Sequence, residues 1–107
     1  MAASKYRERA RQTMTAIVSA FDDVDADDVD VEEAGDVIHL RFRGGSRCVI
    51  NTQSPVEQIW LAGEGRGWHF SYDETHGKWV SDKDSDEELF AVIARITKNA
   101  VSIDLTF

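Results

Sequence analysis

The alternation of apolar and polar positions divides this chain into a helix, a run of strands and a second helix. From residue 4 to about 22, Tyr6, Ala10, Met14 with Thr13, Ile17 and Phe21 recur every three or four positions, the spacing that lines one face of a helix. The period then shortens to two. Val29 and Val31 alternate with Asp30 and Glu32, as on a strand whose polar face is outward. Ala34-Gly35-Asp36 is a turn signal, and Val37 to Arg43 is a second strand with Ile38, Leu40 and Phe42 on one face and His39, Arg41 and Arg43 on the other. Gly44-Gly45 predicts a hairpin returning along Arg47 to Asn51. A two-residue loop would pair Leu40 with Val49 and turn Asn51 inward. A loop one residue longer puts Cys48 and Ile50 inside and leaves Asn51 hydrated; it is preferred, because a buried Asn needs partners for four hydrogen bonds.

Thr52-Gln53-Ser54-Pro55 interrupts the sheet, since proline suits only a strand start or a turn. Gln58 to Ala62 is the next strand, Gly63 to Gly67 a glycine-rich turn, and Trp68, Phe70 and Tyr72 then alternate with His69 and Ser71 as core positions. After a turn through Gly77 comes a short strand from Lys78 to Ser81. Ser85-Asp86-Glu87-Glu88 reads as a capping box opening the second helix, whose stripe is Leu89, Ile93, Ile96 and Ala100 and whose C-cap is Asn99. Val101, Ile103, Leu105 and Phe107 alternate in a tail expected to be extended and to pack on the core. Hairpin turns exclude a doubly wound sheet. The expected architecture is α+β, a two-layer α/β sandwich with two helices on one face of an antiparallel sheet, in one domain spanning residues 1–107.

Charge changes this picture in one place. Asp22 to Glu33 holds eight carboxylates in twelve residues, and no Lys or Arg occurs between Arg11 and Arg41. With Asp36 this gap contains nine of the 20 acids, so the rest of the chain has 11 acids against 12 bases. The acidity is local. Lys5, Arg7, Arg9 and Arg11 sit near the start of the first helix and Asp22 and Asp23 at its carboxyl end; each charge set against the helix dipole costs up to ~1 kcal/mol, unless Asp22 and Asp23 already belong to the loop, where they cost little. The early bases faintly resemble a transit peptide but are read as decoration of this helix.

Carboxylates without His or Cys suit hard cations such as Ca²⁺, Mg²⁺, Mn²⁺ and oxygen-coordinated iron. The EF-hand template fails: with Asp23, Asp25 and Asp27 as its first ligands, the required Gly falls on Asp28 and the terminal Glu on Ala34. Several weak, exposed sites fit better, against the alternative of a solvated run that protects an edge strand. Acidity argues against nucleic acid. A single Cys permits no internal disulfide and cannot by itself hold an iron–sulfur cluster. No apolar run approaches a membrane span, there is no secretory h-region, and a reducing, cytoplasmic location is expected. His39, His69 and His76 lie on different segments, Cys48 reads as a core residue, and no catalytic constellation emerges. Trp60 faces outward beside Gln58 if Ile59 and Leu61 face the helices, the arrangement that wastes less apolar burial; an exposed Trp suits a binding surface.

Asn51-Thr52-Gln53-Ser54-Pro55-Val56-Glu57-Gln58-Ile59-Trp60-Leu61-Ala62 closely resembles the signature of the frataxin family in its bacterial CyaY-type form. Phe21-Asp22-Asp23, the acidic first strand, the Gly44-Gly45 hairpin, Gly77-Lys78-Trp79-Val80 and the final helix extend the resemblance over the chain. It implies a non-enzymatic protein that binds iron weakly, with other divalent cations possible ligands. It also implies contact with the cysteine desulfurase and scaffold of iron–sulfur cluster assembly, as iron carrier, desulfurase regulator or both. By matching position, Asp22, Asp23, Asp25, Asp27, Asp28, Asp30, Glu32 and Glu33 form the metal ridge, and Asn51, Gln53 and Trp60 line the partner-binding face. A monomer is expected, with iron-dependent association left open. Relatives often add acids in the last turns of the first helix; here those turns read Ile17-Val18-Ser19-Ala20, which shifts weight to the loop and first strand. The competing readings are a protein-binding adaptor whose metal is incidental and a ferroxidase, which lacks a Glu-x-x-His pair of the di-iron kind.

Overall fold

The computed structural model describes residues 2–107, with side chains from Lys5 onward. α1 (Ala2–Ala20) is followed by β1 (Val29–Ala34), β2 (Val37–Phe42), β3 (Arg47–Gln53), a single 3₁₀ turn (Ser54–Val56), β4 (Gln58–Gly63), β5 (Arg66–Asp73), β6 (Lys78–Ser81) and α2 (Leu89–Val101). The six strands form one antiparallel sheet in sequence order, β1 to β6. Both helices pack on one of its faces, the two-layer arrangement expected from the periodicity. None of the described helices is long and apolar enough to cross a membrane.

The core lies between these layers. Tyr6, Ala10, Met14, Ile17 and Phe21 of α1 and its turn meet Ile38, Leu40, Phe42, Cys48, Ile50, Ile59, Leu61, Trp68, Phe70 and Trp79 of the sheet. Leu89, Val92, Ile93, Ile96 and Val101 of α2 complete it. Two polar ties position α1. The Tyr6 hydroxyl donates to the Gln58 carbonyl at 2.6 Å and accepts from the Gln53 amide at 3.1 Å, and Thr13 Oγ1 accepts from the Trp79 indole at 2.8 Å.

The β2–β3 hairpin has the longer loop: Leu40 pairs with Cys48 and Ile38 with Ile50, and Gly44 and Gly45 take φ of 101° and 100°. Those angles are open to glycine and strained for most side chains. Four sequence expectations are corrected. β3 does not stop at Asn51; Thr52 and Gln53 still pair with Ile59 and Gln58, and the proline turn follows. The turn after β4 is only Glu64-Gly65, both at positive φ, while Gly63 and Gly67 pair within strands. A Cβ on Gly63 would stand 3.2 Å from Ile96 Cδ1, so the glycine is there for helix–sheet contact.

The capping box is not used. Glu88 is the N-cap and accepts from the Phe90 and Ala91 amides. Glu87 and Glu88 instead extend along β6, with the Ser81 amide donating to the Glu87 carbonyl and Val80 bridging Glu88. The Trp68 indole donates to Glu87 Oε2 at 2.6 Å. A nearly buried indole N–H that loses its acceptor costs ~1–3 kcal/mol, at least comparable to the ~0.5–2 kcal/mol that a helix N-cap is worth. Asn99 is likewise not the C-cap: α2 runs on to bury Val101, and Ser102 closes it at φ 60°. The tail then packs Ile103 and Leu105 on the core and stacks Phe107 on Phe90, centroids 4.4 Å apart.

A split acidic ridge beside an aromatic sheet face

The ridge acids point outward because their neighbours are held inward. Phe21 is buried and Val24 is packed against the core, and successive turn hydrogen bonds from Phe21 to Val29 keep the loop tight. Asp25 adds an Asx turn, its Oδ1 accepting from the Asp27 amide at 2.9 Å. Asp22, Asp23, Asp25 and Asp27 are therefore exposed on the loop, Asp30 and Glu32 on the outer face of β1, and Glu33 near its end; Asp28 is half-buried.

Arginines divide this ridge. The Gly35-Asp36 turn sets Asp30 opposite Arg41 and Glu32 opposite His39. Arg41 reaches both acids, Nη1 3.4 Å from Asp30 Oδ2 and Nη2 3.5 Å from Glu32 Oε1. Arg43 holds Asp28 twice, through its amide to the Asp28 carbonyl at 2.8 Å and through Nη1 to Oδ1 at 2.6 Å. Among the described residues, Asp22, Asp23, Asp25, Asp27 and Glu33 have no such ion pair. The ridge thus has a neutralised half and an open half made by the loop acids, while Glu33, opposite the buried Ile38, stands apart on the other face of β1. Reading the sequence strand by strand missed this. The signal was present, because a two-residue turn at Gly35-Asp36 is enough to place Asp30 against Arg41.

Among the described residues no three His, Cys, Asp or Glu side chains converge as a metal cage. An ion here would be held by one or two carboxylates with water completing its shell, the mode hard cations use at open sites.

Trp60 lies on the face away from the helices, since its neighbours Ile59 and Leu61 are 0% and 2% exposed. It is half-buried. Its ring stacks on His69, centroids 4.1 Å apart and planes 9° apart, and its Nε1 donates to Gln58 Oε1 at 2.8 Å. Asn51 pairs with Trp60 across β3 and β4, and Gln53 pairs with Gln58. The structure brings Asn51, Gln53 and Trp60 onto one face and adds Gln58, His69, Ser71 and Asp82 to their surroundings. The neutralised half of the ridge borders this face through β1 and β2.

The remaining reactive groups are separate. Cys48 is fully buried, and burial, with the charge of Glu64, pushes its thiol up to about 12; a protonated, enclosed thiol is a core residue. His39 lies on the outer face of β2. His76 is 2.6 Å from Asp73 and holds that carboxyl below its usual range by hydrogen bonding. The hydrogen bond from Arg95, reinforced by that from Trp68, holds Glu87 low as well.

Comparison with known proteins agrees with this architecture. The frataxin-like domain family matches residues 1–103. The iron-sulfur cluster assembly protein CyaY of Ectopseudomonas mendocina is 36% identical over 97% of this chain and 93% of its own length. The protein of the same name from Pseudomonas aeruginosa is 41% identical over 85% of this chain and 82% of its own. Among solved structures, a frataxin from Psychromonas ingrahamii superposes with a TM-score of 0.85 at 25% identity, covering 96% of this chain and 94% of that one. Trimeric frataxin from Saccharomyces cerevisiae complexed with ferrous iron gives 0.62 at 26% identity, covering 96% and 88%. With the family match spanning residues 1–103 and the solved frataxin superposing over 96% of the chain, the chain belongs to the frataxin-like family.

Proposed function

We propose that this chain is a non-enzymatic, cytoplasmic participant in iron–sulfur cluster assembly that binds iron weakly and docks on the cysteine desulfurase and its scaffold. Relatives at 36–41% identity carry the name of iron-sulfur cluster assembly proteins, and the yeast frataxin complexed with ferrous iron supports iron as the cation. The observation that carries the reading is the open half of the ridge. Asp22, Asp23, Asp25, Asp27 and Glu33 are exposed carboxylates without an arginine partner among the described residues, and Asp30 and Glu32 carry the ridge on to the outer sheet face that bears the half-buried Trp60. Iron would sit on one or two of these acids and remain exchangeable, as a carrier requires. Asn51, Gln53 and Trp60 would meet the protein partner, and a single frataxin-like unit acting as a monomer suffices for both roles.

One observation favours the adaptor as a second reading. Arg41 and Arg43 already seat guanidinium groups on Asp28, Asp30 and Glu32, so the ridge is also built to receive basic side chains, including those of a partner. Anaerobic titration with Fe²⁺, paired with a desulfurase pull-down, separates the two. The test variant replaces Asp22, Asp23, Asp25 and Asp27 by Asn and Glu33 by Gln. The iron-binding reading expects saturable Fe²⁺ binding by the native chain that the variant loses. Loss of desulfurase capture by the variant, with no Fe²⁺ binding by either protein, would leave the adaptor.

A further inference from the structure

Asp82 follows β6 and belongs to neither the acidic ridge nor the family signature around Trp60. Both of its oxygens are engaged on the outer sheet face. Oδ2 accepts from Gln58 Nε2 at 2.6 Å and Oδ1 from Ser71 Oγ at 2.9 Å. Gln58 Nε2 also donates to Ser71 Oγ at 3.1 Å, and the Asp82 amide donates to the His69 carbonyl at 2.9 Å. The triangle of Asp82, Ser71 and Gln58 has a directional consequence. A carboxylate accepts only, so Gln58 must present its NH₂ to Asp82 and its oxygen to the other side. That oxygen is the one accepting from the Trp60 indole at 2.8 Å, and the indole so held lies flat against His69.

We infer that Asp82 is a positioning residue: acting through Gln58, it fixes Trp60 in its stacked pose before any partner arrives. The inference rests on the docking reading above and deepens it. Because the indole N–H is already satisfied within the chain, a partner meets Trp60 by ring contact and not by accepting its proton. Because the ring is already ordered, the entropy of ordering it is not charged against binding. A ring free to turn would bind the same surface more weakly. The face is therefore preorganised, with its anchor 22 residues from Trp60 in sequence.

Two readouts test this on the full chain. The first is the indole ¹H–¹⁵N signal of Trp60. Trp68 and Trp79 serve as internal controls, since their indoles donate to Glu87 and Thr13 and owe nothing to Asp82. Asp82→Ala should shift the Trp60 signal and lower its order while leaving the other two in place. Asp82→Asn, which keeps one acceptor, should fall between. The second readout is desulfurase affinity in a double-mutant cycle. Asp82→Ala should weaken binding about three- to tenfold in the native background and have almost no effect in a Trp60→Ala background. An unmoved Trp60 signal overturns the inference. So does an equal loss of affinity with and without Trp60, which would make Asp82 a direct contact. If Trp60→Ala itself binds like the native chain, the docking reading fails, and the indole signal alone decides whether Asp82 holds the ring.

Discussion

Removing the arginines that sit on the ridge should tighten metal binding. Arg41 stands 3.4 and 3.5 Å from Asp30 and Glu32, and Arg43 2.6 Å from Asp28. These are surface pairs, each worth about 0–1 kcal/mol to the fold, so Arg41→Gln and Arg43→Gln should leave the protein folded. Their effect on a bound divalent cation is larger. A guanidinium about 7 Å from a doubly charged ion repels it by ~1.2 kcal/mol in a water-like dielectric. Physiological salt reduces that by roughly half. Freeing Asp28, Asp30 and Glu32 to join the unpaired acids as ligands adds a few tenths of a kcal/mol more. Each substitution should therefore contribute about 1 kcal/mol, near fivefold in Kd, and the pair together about 20- to 30-fold. Calorimetric titration with Mn²⁺, a hard divalent ion stable in air, followed by anaerobic Fe²⁺, measures this directly. Arg95→Gln removes the same charge from α2, where Arg95 pairs with Glu87, and should change little. A Kd unmoved by both ridge substitutions would refute the reasoning, because it would mean that the cation binds where the arginines' charge does not reach.

Further outcomes follow from the same geometry. The melting temperature should climb with ionic strength, as screening relieves repulsion among ridge acids, and climb again with Fe²⁺ at matched ionic strength; an ion present at 100 times its Kd adds about 2.7 kcal/mol. Trp60→Ala removes a stacked ring and one hydrogen bond outside the core and should cost about 1–2 kcal/mol. Phe70→Ala, at 0% exposure, should cost ~3–5 kcal/mol, and urea unfolding of the two variants compares them. Glu87, held below its ordinary value of 4.5 first by Arg95 and then by Trp68, stabilises the fold above that value, and the contribution fades as pH falls through its depressed value. Glu87→Gln should accordingly flatten the fall of the melting temperature on the acid side of pH 4.5.

The parts of the fold that periodicity alone determines were legible in the chain. Alternation set the strands, the cost of burying Asn51 selected the longer β2–β3 loop, and the aliphatic neighbours of Trp60 turned it outward. What escaped depends on contacts between distant segments. Ser85-Asp86-Glu87-Glu88 has the local chemistry of a helix start, yet the Trp68 indole and the edge of β6 claim Glu87 first. Asn99 suits a helix end, yet burying Val101 carries α2 past it. Sequence density made the ridge look uniform, whereas cross-strand register gives three of its acids to Arg41 and Arg43. Asp82 carries no local signal at all, because its role exists only once β4, β5 and the end of β6 are side by side.

Desulfurase affinity as a function of ionic strength, measured for the native chain and for the variant neutralised at Asp22, Asp23, Asp25, Asp27 and Glu33, tests the central claim most directly. Long-range attraction to a basic partner surface is screened by salt, while desolvated contact at Trp60 is not. The native chain should bind tightly at low salt and weaken as salt rises. The variant should bind weakly at low salt and respond little, and the two should converge at high salt on the affinity that the Trp60 face supplies alone. Parallel salt dependences, or a variant that binds as the native chain does at low salt, would contradict the account.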